Sequence, residues 1–172
     1  SLAILQISQK AKKKVSVMLA GEGADELFFG YERYLKILKS KSNTSMIKNG
    51  AFLRTKDDLE LYKIFQNKDF GDPHQNRLKI LSKIKVKNKI KKFQIFETKT
   101  HLQSLLLRSD KMMMANSIEA RVPFLDKDLF DYAINIDEKI KKSINQKKIL
   151  KKILSKYAYK ESFINRKKIG YL

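Results

Sequence analysis

Three carboxylates, Glu22, Asp25 and Glu26, stand within five residues of one another in the stretch VSVMLAGEGADELFFGYERY, Val15 to Tyr34. Carboxylates this close repel one another unless a positive charge stands between them, and the partner that oxygen donors favour is a hard cation. Mg²⁺ suits such a loop, because it is held through one or two carboxylates and bridges to substrate phosphates. A second reading stays open, in which Asp25 caps the following helix and Glu26 favours its first turn through the helix dipole. Val15, Val17 and Leu19 alternate with Ser16, Met18 and Ala20 without a charge, which predicts a strand over about 14–20 buried on both faces. Gly21 and Gly23 permit backbone angles that a Cβ would resist. Leu27, Tyr31, Tyr34, Leu35 and Leu38 then recur every three or four positions, as along one helix. The carboxylates therefore crowd the carboxyl end of a strand, where open α/β sheets bind ligands.

The chain of 172 residues has the size of one domain or a large piece of one, and its 42% apolar content suffices for a core. No run approaches the roughly 20 apolar residues of a membrane span, and the first residues do not read as a signal peptide. Cysteine is absent, which excludes disulfides, thiolate metal sites and a cysteine nucleophile. These features place the chain in the cytoplasm. The net charge is +20, from 38 Lys and Arg against 18 Asp and Glu. Such a balance points to a polyanion or a phosphate-rich ligand. The excess is mostly lysine, dispersed through KAKKK, KIKVKNKIKK and KKILKKILSK rather than gathered with arginine and aromatics. That pattern reads as solvated surface, so salt-sensitive sticking to nucleic acid is expected but no specific binding.

Along the chain, residues 2–12 predict a helix packed on the strand. Residues Lys39 to Gly50 are polar and predict an exposed loop. Asp57 and Asp58 open a short helix carrying Leu59, Tyr62 and Phe65. Asp69 to His74 predict a turn, because Pro73 stops any helix running through it. Leu78, Leu81 and Ile84 predict the next helix, and Phe93 to Ala115 one long helix with Leu102, Leu105, Leu106 and Met113 inward. Neither His74 nor His101 has a partner histidine, so neither is assigned a metal. Pro123 pushes Val122 out of the helical region, and Asp126 is a good N-cap for the helix after it. Glu119 and Arg121 predict a partly buried charge pair that holds the loop's shape. Asn145 opens an amphipathic helix with Ile149, Leu150, Ile153, Leu154 and Tyr157 on one face. A lone buried parallel strand lacks neighbours, so the sequence reads as truncated.

Three blocks carry a family resemblance. AGEGADELFFGYERY, Ala20 to Tyr34, is similar to the SGEG(S/A)DE…GGY segment of glutamine-hydrolysing asparagine synthetases. LLLRSDKMMMANSIEARVPFLD, Leu105 to Asp126, resembles the LL…D(R/K)…MA…EARVPFLD signature of the same family. RKKIGY, Arg166 to Tyr171, is similar to its R-x-K-x-G-F close. The blocks follow family order and bracket nearly the whole chain. The fold implied is the mostly α-helical C-terminal half of an α/β PP-loop domain, of the adenine nucleotide α-hydrolase kind, over residues 1–172.

The resemblance also implies a reaction. ATP, with Mg²⁺, adenylates the side-chain carboxylate of aspartate, and ammonia from glutamine then displaces AMP. Asp25 matches the family's magnesium–pyrophosphate ligand, Lys168 its pyrophosphate-holding lysine, and Asp110 part of the active-site wall. Glu22 matches the glutamate credited with taking the proton from attacking ammonia and with forming the intermediate. Relatives that close β-lactam rings carry a tyrosine there, so Glu22 favours ammonia transfer. Ala20 and Gly21 fall on the Ser-Gly pair that contacts ATP, and Ala20 forfeits any hydroxyl contact. No residues resemble the SGGxDS phosphate loop or an N-terminal cysteine glutaminase domain, so the chain alone is expected to be inactive. The implied partners are aspartate or a related carboxylate and ammonia from a glutaminase domain, without specific nucleic acid or membrane; a homodimer is left open. Alternatives are an amidotransferase acting on another carboxylate, on a cell-surface sugar or a peptide, and a basic helical nucleic-acid-binding module.

Overall fold

A computed structural model of the chain describes residues 2–50, 73–143, 147–157 and 159–166. The expected helix after Asp57 and Asp58, the opening of a helix at Asn145, and the RKKIGY close beyond Arg166 lie outside them. The fold is mostly helical, as expected, and one short strand beyond the expected one completes a two-stranded parallel sheet. The chain divides into two compact units, Ser1–Gly30 with Leu102–Leu172, and Tyr31–His101.

The first unit holds the sheet. Helix α1 (Leu2–Ala11) leads into β1 (Val17–Leu19), which pairs in parallel with β2 (Glu119–Arg121), Val17 facing Glu119 and Leu19 facing Arg121. Two differences from expectation stand out. The strand is shorter than 14–20 and is not buried: Leu19 is 74% exposed, and Val15 and Val17 are also exposed. Among the described residues β2 is its one neighbour in the sheet. The second strand, EAR, carries two charges and no apolar alternation, so its sequence has no strand signal.

Helix α2 (Ala24–Leu27) follows the acidic loop and stops after one turn. The single helix expected through Leu38 is broken because Phe29 takes a left-handed φ of 57° and Gly30 N–H donates back to the Asp25 carbonyl at 2.9 Å. This is the Schellman arrangement, with phenylalanine where glycine is usual. The long helix expected over 93–115 is also two. Helix α7 (His101–Met114) ends in a second such turn, with Ser117 at φ 53° and Ile118 N–H bonded to the Met113 carbonyl at 3.1 Å. That turn feeds β2. Asn116 Nδ2 ties α7's end to α1 through the Leu5 carbonyl (3.1 Å) and Ser8 Oγ (2.8 Å).

After β2, Val122 lies outside the helical region (φ −120°, ψ 77°) and a 3₁₀ turn spans Pro123–Leu125. Asp126 caps α8 (Lys127–Asn135), as expected, its carboxylate accepting from Asp128 and Leu129 N–H at 3.1 Å. Lys141 of α9 (Glu138–Ser143) donates to the Ile134 carbonyl near the end of α8 at 2.7 Å. Helix α10 (Lys148–Lys156) carries the KILKKILSK pattern, and the short α11 (Glu161–Ile164) follows.

The second unit packs α3 (Arg33–Leu38), α4 (Asn43–Gly50), α5 (Pro73–Lys83) and α6 (Lys89–Lys99) around Phe93. Residues 43–50 are helix, not the loop expected. Ser42 and Ser45 cap it reciprocally, Ser45 N–H donating to Ser42 Oγ (3.1 Å) and Ser42 N–H to Ser45 Oγ (2.9 Å). This is a capping box with serine in the glutamate place. Pro73 and His74 open α5 rather than forming a turn, because a proline loses no hydrogen bond in a helix's first turn. Tyr34 meets Phe93 edge-on at 6.0 Å, and Phe93 meets Phe96 at 5.4 Å. Arg33 lies over Tyr31, 3.8 Å from its centroid, and pairs with Glu97, their side chains 12% and 3% exposed.

Candidate functional site

The site grows from the carboxyl end of β1. Ala20 N–H donates to the Arg121 carbonyl at 2.7 Å, extending the ladder one residue past the strand and bringing the GEGADE loop against EARVPFLD. Gly23 then turns at φ +90°, and a Cβ there would meet Leu125 Cδ2 at 2.4 Å. Glycine is required twice over, by the left-handed backbone and by the Pro-Phe-Leu turn lying on it. Phe28 and Phe124 meet edge-on at 6.1 Å and close the same contact. Two stretches about a hundred residues apart thus form one wall.

This wall brings Ala20, Gly21, Glu22 and Asp25 together. Ala20's N–H is spent on β2, so a ligand contact there falls to its carbonyl or to the neighbouring Gly21. Gly21 is exposed, and nothing lies within 4 Å of where its Cβ would be, which leaves room for a close ligand. Glu22 is half-buried, and its Oε1 accepts the hydroxyl proton of Ser109 on α7. Asp25 pairs through Oδ1 with Lys147 Nζ at 2.9 Å. Gly30 makes room for that pair: its Cβ would fall 1.6 Å from Asp25 Oδ1 and 2.5 Å from Lys147 Cε.

Glu26 departs from the expected three-carboxylate cluster. It is 1% exposed, turned into the interior by α2, and no group of three or more His, Cys, Asp or Glu able to hold a metal exists among the described residues. Nor does Asp25 cap α2, whose N-cap is Gly23 without a side-chain bond. Glu119 and Arg121 do pair, at 2.6 Å, but with side chains 54% and 64% exposed rather than partly buried. Strand alternation points both outward from β2, and so exposed a pair adds little stability. Asp110 is exposed on α7, next to Ser109. Lys168 lies outside the described residues.

An open cleft of about 1090 Å³ starts at Gly21 and Ala24 and runs along α10 and α11. Lys147, Lys151 and Arg166 supply its positive charge, and Phe124, Tyr132 and Phe163 are among its apolar walls. Arg166 lies 4.6 Å from the Phe163 ring centroid. Sequence reasoning missed Ser109 and Lys147. Ser109 had only its place beside Asp110 to mark it, and Lys147 was one lysine among many.

An acidic loop at the carboxyl end of a parallel strand, walled by the Pro-Phe-Leu turn and opening on a cation-rimmed cleft, lies where open α/β sheets bind their ligands. The chain belongs to the asparagine synthase family, whose profile matches residues 1–172. It is 30% identical to glutamine-hydrolyzing asparagine synthetase 1 of Bacillus subtilis (strain 168), over 96% of this chain and 32% of that protein. It is 31% identical to a probable glutamine-hydrolyzing asparagine synthetase of Schizosaccharomyces pombe, over 91% of this chain and 19% of the relative. It is 27% identical to glutamine-hydrolyzing asparagine synthetase 3 of Bacillus subtilis (strain 168), over 88% of this chain and 26% of the relative. The chain therefore spans a third or less of the length of these relatives.

Proposed function

We propose that this chain is the C-terminal part of the synthetase domain of a glutamine-hydrolysing asparagine synthetase, working in the cytoplasm. The observation that carries the reading is the packing of the two signature blocks on each other, with Glu22 and Asp25 in the loop that follows β1. In this reaction the aspartate side-chain carboxylate attacks the α-phosphorus of ATP and pyrophosphate leaves. Ammonia then adds to the acyl carbon, and AMP leaves as the amide forms. The ammonia comes from a glutaminase domain, which none of these residues resembles, so these residues alone do not complete the reaction.

Each residue's part follows from its chemistry. Glu22 takes a proton from the nitrogen that has added to the acyl carbon, a task for a carboxylate within hydrogen-bond reach. Asp25 would offer Mg²⁺ a hard oxygen donor, and one or two carboxylates are what that ion takes when it is shared with substrate phosphates. Mg²⁺, when bound, supplies neutralisation of the departing pyrophosphate's charge. Lys168 holds that pyrophosphate, and Lys147, Lys151 and Arg166 add to the cationic field along the cleft. Ala20 and Gly21 offer backbone to the nucleotide, and Asp110 contributes to the wall. The acceptor is aspartate.

The test is amide formation by the full-length protein. Glu22→Gln is expected to abolish asparagine production from ATP, aspartate and ammonium. Asparagine made at the unaltered rate would remove Glu22 from the chemistry.

A further inference from the structure

The structure assigns a positioning role to Ser109: its hydroxyl, carried on α7, orients the Glu22 carboxylate for the amide-forming step. The inference rests on the role proposed above for Glu22. Ser109 is 3% exposed, so water cannot satisfy its hydroxyl. A buried helical serine ordinarily bonds back to the carbonyl one turn earlier. Ser109 instead donates across to Glu22 Oε1, 87 positions away in sequence. Hydrogen bonds to an ionised acceptor are the strong kind, and this one fixes a side chain with three rotatable bonds. Among the described residues Ser109 is the one hydrogen-bond partner of the Glu22 side chain, so Oε2 is left to face the reacting nitrogen.

Two neighbours argue that the contact is specific. Asp110, the next residue on α7, is exposed and cannot replace the hydroxyl, because an ionised carboxylate has no proton to donate. Arg108 is exposed as well. The chemistry that depends on the contact is one proton transfer. Ammonia adds to the acyl carbon of the acyl-adenylate, an N–H proton passes to Glu22, and the carbon–oxygen bond to AMP breaks, releasing AMP and the amide. A carboxylate free to swing away from the nitrogen slows that step and leaves pyrophosphate release, which precedes it, untouched. The acyl-adenylate then meets water instead.

The experiment measures pyrophosphate and asparagine together in the full-length protein, with ammonium chloride as nitrogen donor so that glutaminase activity is bypassed. Wild type is expected to release one pyrophosphate per asparagine. Ser109→Ala, a substitution that a helix accepts readily, is expected to raise that ratio roughly ten- to a hundredfold, the scale of a misplaced catalytic group. Ser109→Thr, which keeps the hydroxyl, is expected to bring it back towards one. A ratio unchanged in Ser109→Ala, with Glu22→Gln still unable to make asparagine, would overturn the role of Ser109 and leave that of Glu22 standing. Asparagine made normally by Glu22→Gln would overturn both. An equal fall in the two products in Ser109→Ala, at a constant ratio, would place the effect before ammonia adds and also overturn the proposal.

Discussion

At the scale of single residues, the acidic loop is held by contacts that leave little freedom. Gly30 is the clearest case. Asp25 and Lys147 occupy the volume where any larger residue would put its Cβ. Gly30→Ala is therefore expected to cost about 1–3 kcal/mol of stability by overpacking, seen in a denaturant titration. It should also displace Asp25, so that pyrophosphate release by the full-length protein falls with it. Asp25→Ala is expected to raise the Mg²⁺ concentration needed for half-maximal pyrophosphate release by about tenfold or more. A Mg²⁺ titration of pyrophosphate yield checks this, and an unchanged curve would remove Asp25 from the ion's coordination.

At the scale of elements, caps and turns decide where each helix and strand begins. Gly23 and Gly21 sit two residues apart in one loop, yet they answer to different constraints. Gly23 is left-handed and covered by Leu125, whereas Gly21 faces open space. Gly23→Ala is expected to destabilise the protein by about 1–3 kcal/mol, and Gly21→Ala by less than about 0.5. Thermal unfolding of the two variants side by side tests the contrast. Ser42→Ala should cost about 0.5–2 kcal/mol by removing the cap of α4. These local devices also explain what could be read in advance. The cap at Asp126 and the non-helical Val122 before Pro123 were legible, because each depends on one residue and its immediate neighbours. The breaks at Phe29 and between α6 and α7 were not, because the periodic apolar residues run on across them. Residues 43–50 looked like a loop because their serines, which start the helix, are also common turn-formers. Ser109 and Lys147 were invisible for another reason: their partners lie far away along the chain, and nothing about a lone serine or lysine names a distant carboxylate.

At the scale of the whole molecule, each compact unit has its own source of stability. In the unit of residues 31–101 a ring cluster around Phe93 and a desolvated pair, Arg33 with Glu97, do most of the anchoring. Phe93→Ala is expected to cost about 3–5 kcal/mol, and Glu97→Ala a similar amount by stranding the arginine charge. Chemical denaturation of both variants measures it. The other unit depends on sequence-distant pairing, since Val17 faces Glu119. That pairing has a kinetic consequence. While the chain is being synthesised, the GEGADE segment waits for its partner strand to emerge, with some hundred residues still to come, and closing so long a span is slow. The helices of the first-made segments can form in the meantime. Binding competence should consequently return in a later phase than helical content when the denatured protein is allowed to refold.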